Sequence, residues 1–358
     1  MKFEEFELER NQSLFEHEVD FNLSESGLHP LPLKKILTKN EQSDLLNVEL
    51  VYGHTNGTPT LREKISKLYN GARPENILAT SGSAEANFVA IMSLLNPGDE
   101  LIYMVPNYLQ IRGIARNIGV NVIELPLREK LGWQWDINEL EAIISDKTKM
   151  IAVCHPNNPT GSIFYKNELI KFLNKIKKTT LVVLDAAYCE YIKDNKYDDG
   201  MKLVKNYSNL IITRSFSKIF ALGGLRIGWG YANSKIISQL YQYKKPFNVS
   251  RLSCIAAQES LKNKKWINES IKNNSVNKTL TCKQLNNKSF KIIDTEANFI
   301  LLKFKNSLIT QEFVDFLHLN KITVRSLSSY GLNNFVRMTI GTKTDMKKAI
   351  LVANKFNV

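Results

Sequence analysis

The chain has 358 residues and 43% hydrophobic content, enough to bury a sizeable core in one large or two modest domains. Its formal charge is +13, but the lysines are spread through "KNELIKFLNKIKK" and "LKNKKWINESIKNN" among Asn and acids on helix-like segments, where charge runs are solvated faces. Nucleic-acid binding has neither a motif nor an aromatic-basic platform behind it, while a basic surface suits an anionic small molecule.

At the N-terminus, "MKFEEFELER" mixes acids and bases where a signal peptide needs a basic start and an apolar run, and no stretch approaches a membrane span. A soluble, cytoplasmic protein is the expectation. Short apolar runs then alternate with helical ones: "NILAT" and "SAEANFVAIMSLL", "ELIYMV" and "YLQIRGIARNIG", "MIAVCH" and "NELIKFLNKIKK", then "LVVLDA" and "NLIITRS". This is the βαβ rhythm of a mostly parallel sheet flanked by helices, an α/β fold. The strand runs are apolar throughout, as when both faces are buried. Beyond about Lys262 the rhythm changes to a long polar helical stretch, "ANFILLKF", a helix "QEFVDFLHLN" and "NFVRMTIG". The expected division is a large domain over 41–270 and a smaller α+β domain from 1–40 and 271–358. Cys154, Cys189, Cys254 and Cys282 are widely separated and form no C-x-x-C pair, so they read as reduced thiols and no metal site is indicated.

Ligands of such sheets bind beyond the carboxyl ends of the strands. After "NILA" come Thr80, Ser81, Gly82 and Ser83, opening a helix whose first N–H groups and dipole suit a phosphate, although Ser and Gly also serve there as plain caps. After "MIAVCH" comes "PNNPTG", a rigid turn presenting Asn158, or simply a tight loop. Asp185 ends "LVVLD" with Tyr188 three residues on; a lone acid there also reads as a helix cap. Lys218 follows "NLIITRSFS", where a partly buried amine makes a nucleophile or base, and Arg226 follows in "GGLRIG".

One cofactor uses all of these. Pyridoxal 5′-phosphate needs a lysine for a Schiff base, a helix start with hydroxyls and an arginine for its phosphate, and a carboxylate to keep its ring nitrogen protonated. At "SFSKIFALGGLRIG" the chain resembles the class I/II aminotransferases of fold type I. The resemblance runs from about Leu23 to Gly341, with several motifs in the family's order. It implies Lys218 as the Schiff-base lysine, with Ser215 and Arg226 on the phosphate beside Ser81, Gly82 and Ser83. It implies Asp185 on the ring nitrogen, Asn158 and Tyr188 on the ring oxygen, and Tyr108 of "PNY" stacked on the ring. Tyr52 resembles the tyrosine that reaches the neighbouring chain's cofactor, which implies a homodimer with shared active sites. Arg337 of "NFVRMTIG", otherwise a strand-edge surface charge, resembles the arginine that grips the substrate carboxylate, and Gly27 the residue lending it an N–H.

Within the family, "PNYLQIRGIARNIG" and "AVCHPNNPTG" resemble generic aminotransferases related to the enzymes that build cyclic arginine derivatives such as capreomycidine. Histidinol-phosphate aminotransferases are related through "NNPTG" and "ANFILL", although "SESGLHPLP" replaces their "NENPYGPSP"-type stretch. His29 and His54 are candidates for the pocket mouth, and each reads equally as a structural histidine. The reading is transamination between an amino acid and a 2-oxo acid. Decarboxylation, elimination, cyclisation or oxidation on the same scaffold stay open, because the cofactor motifs do not separate them. A ligand-sensing regulator would need an attached DNA-binding domain, for which the chain is expected to begin too close to its core.

Overall fold

The apolar runs form strands sealed on both faces. In the computed structural model, which describes residues 18–27, 31–192 and 197–357, the first eight strands are β1 (Phe21–Asn22), β2 (Ile77–Thr80), β3 (Glu100–Val105), β4 (Asn121–Pro126), β5 (Thr148–Cys154), β6 (Leu181–Asp185), β7 (Leu210–Ser215) and β8 (Gly228–Tyr231). All but β1 build one sheet in the order β2-β8-β7-β6-β5-β3-β4. Strands β3 to β7 run parallel, and β8 lies antiparallel to both neighbours. Along β5, Met150 and Ala152 face the helices Gly82–Leu94, Gln110–Asn117 and Ser234–Tyr243. Ile151 and Val153 face the opposite layer with Leu169 and Phe172 of the helix Lys166–Lys175. Alternate residues thus meet two apolar layers, which is why these strands carry no polar alternation.

From β3 the chain runs outward to β4, then returns to place β5 on the other side of β3. That reversal opens a crevice at the carboxyl ends of β3 and β5, the position where open α/β sheets bind ligands. Tyr108 follows β3, Asn158 follows β5, Asp185 ends β6, and Lys218 follows β7.

The C-terminal part is α+β, as its rhythm indicates. Strands β9 (Phe290–Ile293), β10 (Phe299–Phe304), β11 (Ile322–Thr323), β12 (Arg325–Ser326) and β13 (Phe335–Thr339) follow the helix Lys264–Gln284. Four of them form an antiparallel sheet, β12-β13-β10-β9, and β1 pairs in parallel with β11. Leu23 packs into the core of this lobe with Leu302, Phe313 and Met346. Strand β8 departs from the sequence reading. No strand is read from "RIGWG", yet Gly228–Tyr231 is a buried strand, and Gly228 admits the start of the helix Gly82–Leu94 at close range. Among the described residues, no helix is long and apolar enough to cross a membrane.

Candidate active site

A cleft of about 850 Å³ opens at the sheet reversal. One end is an anion cradle. The helix Gly82–Leu94 starts at Gly82 with φ +79°, and Ser83 and Ala84 line the cleft. A Cβ on Gly82 would lie 2.7 Å from Arg226 Nη2, and its φ of +79° is one that other residues rarely adopt, so glycine here lets the guanidinium rest on the helix start. A Cβ on Gly228 would meet the Arg214 carbonyl, Gly82 C and Ser83 N, each at 2.6 Å. Backbone N–H groups, helix dipole and Arg226 thus converge on one point, as an anion requires. Ser81 caps nothing with its side chain; its N–H donates to Glu85 (2.5 Å), which the buried Lys244 holds at 3.3 Å.

The middle of the cleft carries a buried carboxylate. Asn87 Nδ2 donates to Asp185 Oδ2 (2.8 Å), Thr213 Oγ1 donates to Asn87 Oδ1 (2.9 Å), and the Ala187 N–H donates to Asp185 Oδ1 (3.2 Å). Burial pushes the Asp185 carboxyl above its ordinary range, while the Asn87 amide, the Ala187 N–H and the charge of Lys218 pull it down. An anion so enclosed is stabilised most by a cation placed against it in the cleft. Lys218 Nζ lies 5.2 Å above the Tyr188 ring and donates to Ser26 Oγ (2.8 Å), and Ser26 Oγ lies 2.6 Å from the Tyr188 hydroxyl. Burial raises the Tyr188 phenol well above its usual value, with Arg337 and Ser26 opposing, so it stays a protonated donor. Tyr108 is tied down from behind, since the Tyr103 hydroxyl donates to its carbonyl.

The far end holds two arginines. Arg337, on β13, stands opposite Arg325, on β12, in strand register. Arg337 Nη1 donates to Asn158 Oδ1 (2.6 Å) and Nη2 to the Ser24 carbonyl (2.5 Å), and its guanidinium lies 5.0 Å from the Phe299 ring centre. At 2% exposure it is no surface charge; the strand-edge reading is overturned because β13 lies between β12 and β10. Burial, then the neighbouring Arg325, lowers its pKa. Among the described residues, Arg325 Nη2 has one carboxylate near it, Glu25 at 3.8 Å. Among the described residues, the Nε of each arginine is buried without a hydrogen-bond partner. Two adjacent buried cations with spare donors call for an anion.

Most of the residues singled out from sequence converge here. Gly27, Ser83, Tyr108, Asn158, Asp185 and Tyr188 line the cleft, with Ser215, Lys218, Arg226 and Arg337. Three expectations stand apart from the lining. Ser81 and Gly82 lie behind Ser83 at the helix start, and Tyr52 is 84% exposed, its ring 5.0 Å from Phe247. His54 is exposed and off the lining, and His29 lies outside the described residues. Sequence reasoning passed over Ser26, Asn87, Arg325 and Asn298, each of which reads locally as an ordinary polar residue. A polar Asn87 inside the apolar run "ANFVAIM" was the one available signal.

The site fits pyridoxal phosphate. Gly82 and Gly228 let Arg226, the helix start and β8 close into an anion cradle, the enclosed Asp185 gains from a ring cation, and the Lys218 amine lines the same cleft. Sheet, cleft and donors together define a fold type I pyridoxal-phosphate transferase. The family model of the class I and II aminotransferases matches residues 19–352, and the chain belongs to that family. It is a pyridoxal-phosphate-dependent aminotransferase, acting on amino-acid and 2-oxo-acid substrates. The histidinol-phosphate aminotransferase of Pelagibacter ubique is 33% identical over 370 aligned positions, covering 99% of each chain. A PLP-dependent aminotransferase from Streptococcus suis shares the fold with TM-score 0.90 at 22% identity, covering 99% of this chain and 98% of that one. Histidinol-phosphate aminotransferase from Sinorhizobium meliloti, solved with pyridoxal-5′-phosphate, gives TM-score 0.84 at 18% identity over 99% of this chain and 95% of that one.

Proposed function

We propose that this enzyme moves the amino group of histidinol phosphate to a 2-oxo acid, as a cytoplasmic homodimer. The names of its relatives support the donor. The observation that carries it is the Arg325–Arg337 pair, with buried donors left over on both guanidiniums. A phosphate monoester brings three acceptor oxygens and more than one charge, which two guanidiniums satisfy better than one. The carboxylate of the 2-oxo acid uses the same pair in the second half of the cycle.

Pyridoxal phosphate, when bound, supplies the electron sink that makes a Cα–H bond of the donor labile. In this reading Ser83, Ser215 and Arg226 bind its phosphate, beside Ser81 and Gly82. Asp185 keeps a positive charge at the ring nitrogen. Asn158, whose amide oxygen is taken by Arg337, donates its NH2 to the ring oxygen together with Tyr188, and Tyr108 covers the ring. Lys218 Nζ would hold the cofactor and would carry the proton taken from the donor's Cα, with the cofactor supplying the electron sink. Arg337, with Arg325, fixes the donor's anion so that the Cα–H bond faces Lys218. Gly27, which lines the same cleft, would lend its N–H to this anion. Tyr52, exposed in one chain, completes the phosphate site of the partner chain. Residues 41–270 form the cofactor-binding domain, and 1–40 with 271–358 the smaller one.

The test is steady-state turnover with 2-oxoglutarate as acceptor and histidinol phosphate, histidinol, histidine, aspartate and arginine as donors. Histidinol phosphate is expected to lead, with kcat/KM about 10²-fold or more above histidinol, because loss of the phosphate leaves buried donors unpaired. A preference for arginine or aspartate would overturn the donor.

A further inference from the structure

The "ANFILL" motif contains Asn298, a polar residue with no exposed surface at the start of β10 that none of the roles above uses. Its Nδ2 donates to the Ser26 carbonyl at 2.9 Å. Ser26, 5% exposed, sits on the segment that follows β1 into the cleft. That segment is stitched to the C-terminal lobe on either side of it: the Leu23 N–H donates to the Thr323 carbonyl (2.8 Å), the Thr339 N–H to the Leu23 carbonyl (2.9 Å), and Arg337 to the Ser24 carbonyl. Asn298 is therefore one of several ties that set the depth at which the Ser26 hydroxyl enters the site.

At that depth Ser26 Oγ touches both Lys218 Nζ and the Tyr188 hydroxyl. A hydroxyl has one hydrogen to give and two lone pairs to receive with. With the lysine amine on one of its lone pairs, Ser26 can give its hydrogen to the Tyr188 oxygen. The phenol's own hydrogen is then directed away from Ser26, into the cleft.

We propose that Ser26 is a positioning residue for transamination. Pinned by Asn298, it holds the Lys218 amine in one rotamer and orients the Tyr188 proton so that the phenol donates toward bound cofactor. The proposal rests on Lys218 being the cofactor lysine. Its chemistry is directional: a phenol that donates into the cleft stabilises negative charge there.

The experiment uses loaded wild type and the Ser26→Ala, Ser26→Thr and Asn298→Ala variants. Borohydride reduction followed by peptide mapping first tests the underlying reading; label absent from Lys218 refutes that reading by itself. With Lys218 labelled, the pH midpoint of the visible absorption band is measured for each protein. Ser26→Ala is expected to raise the midpoint by about half to one pH unit, the worth of one hydrogen bond. It is also expected to lower kcat about tenfold, with KM for the donor little changed. Ser26→Thr, which keeps the hydroxyl, is expected to titrate as wild type. Asn298→Ala is expected to shift the midpoint in the same direction by less, because Ser26 keeps its hydroxyl but loses one tie. A Ser26→Ala enzyme that titrates and turns over as wild type overturns the proposal. So does one that loses only thermal stability, since that would make the serine a packing residue.

Discussion

Asn87 and Asp185 lie 98 residues apart and share a 2.8 Å hydrogen bond in the buried centre of the cleft. The amide is itself held by Thr213 on β7, so a helix and two strands fix one carboxylate. Burial holds that carboxyl above the ordinary range. A group whose folded pKa is raised contributes stability that is fully present below the unfolded value and is lost as pH rises through the folded one. Near neutral pH, wild-type protein without cofactor therefore carries the cost of an enclosed charge. Asp185→Asn is expected to melt higher than wild type there, with the gain vanishing in acid below about pH 4. Its turnover is expected to fall by about 10³-fold. Calorimetry on cofactor-free protein with single-donor kinetics checks both, and a variant that melts lower at neutral pH contradicts the electrostatic account.

The two arginines are expected to separate in kinetics. Arg337→Lys removes a planar fork that holds Asn158 and Ser24 at once, and kcat/KM is expected to drop by about 10²–10³-fold for every anionic donor. Arg325→Gln leaves Arg337 in place. It is expected to penalise the phosphate donor more than a carboxylate donor, chiefly in KM. Equal losses on both donor types would remove Arg325 from phosphate recognition.

Gly228→Ala inserts a methyl where three backbone atoms leave no room. Neither β8 nor the helix start can yield without moving Ser83. Overpacking of this kind costs about 1–3 kcal/mol, so melting is expected to drop by several degrees and cofactor to dissociate more readily. Fluorescence titration with pyridoxal phosphate reads the second effect, and unchanged affinity would show that the cradle tolerates displacement.

Tyr52 reaches no cleft atom of its own chain, being exposed and packed on Phe247. Lys218→Ala and Tyr52→Ala are each expected to be impaired alone, the first almost completely. Mixed after unfolding, they form hybrids with one site carrying both wild-type residues. Activity is expected to recover to about one quarter of wild type per chain, as random pairing in a two-fold dimer predicts. No recovery would place Tyr52 outside the partner's site.

Local pattern sufficed for much of this molecule. Strands β2, β3, β5, β6 and β7 announce themselves as apolar runs because both their faces are covered, and the rim position of Lys218, Asp185 and Asn158 follows from each one's place after such a run. Ser81, Gly82 and Ser83 marked the cradle, since they open a helix directly after a strand run. The remainder depends on which elements become neighbours, and spacing along the chain carries no such information. β8 is short, glycine-rich and antiparallel, so it shows neither apolar run nor crossover. Ser26 meets Lys218 across 192 residues, and Arg337 meets Asn158 across 179. Those meetings were decided by the placement of β5 beside β3, by β13 lying between β12 and β10, and by a segment after β1 stitched to the C-terminal lobe. A buried arginine and a surface arginine look alike in a chain, because burial is a property of what packs over them.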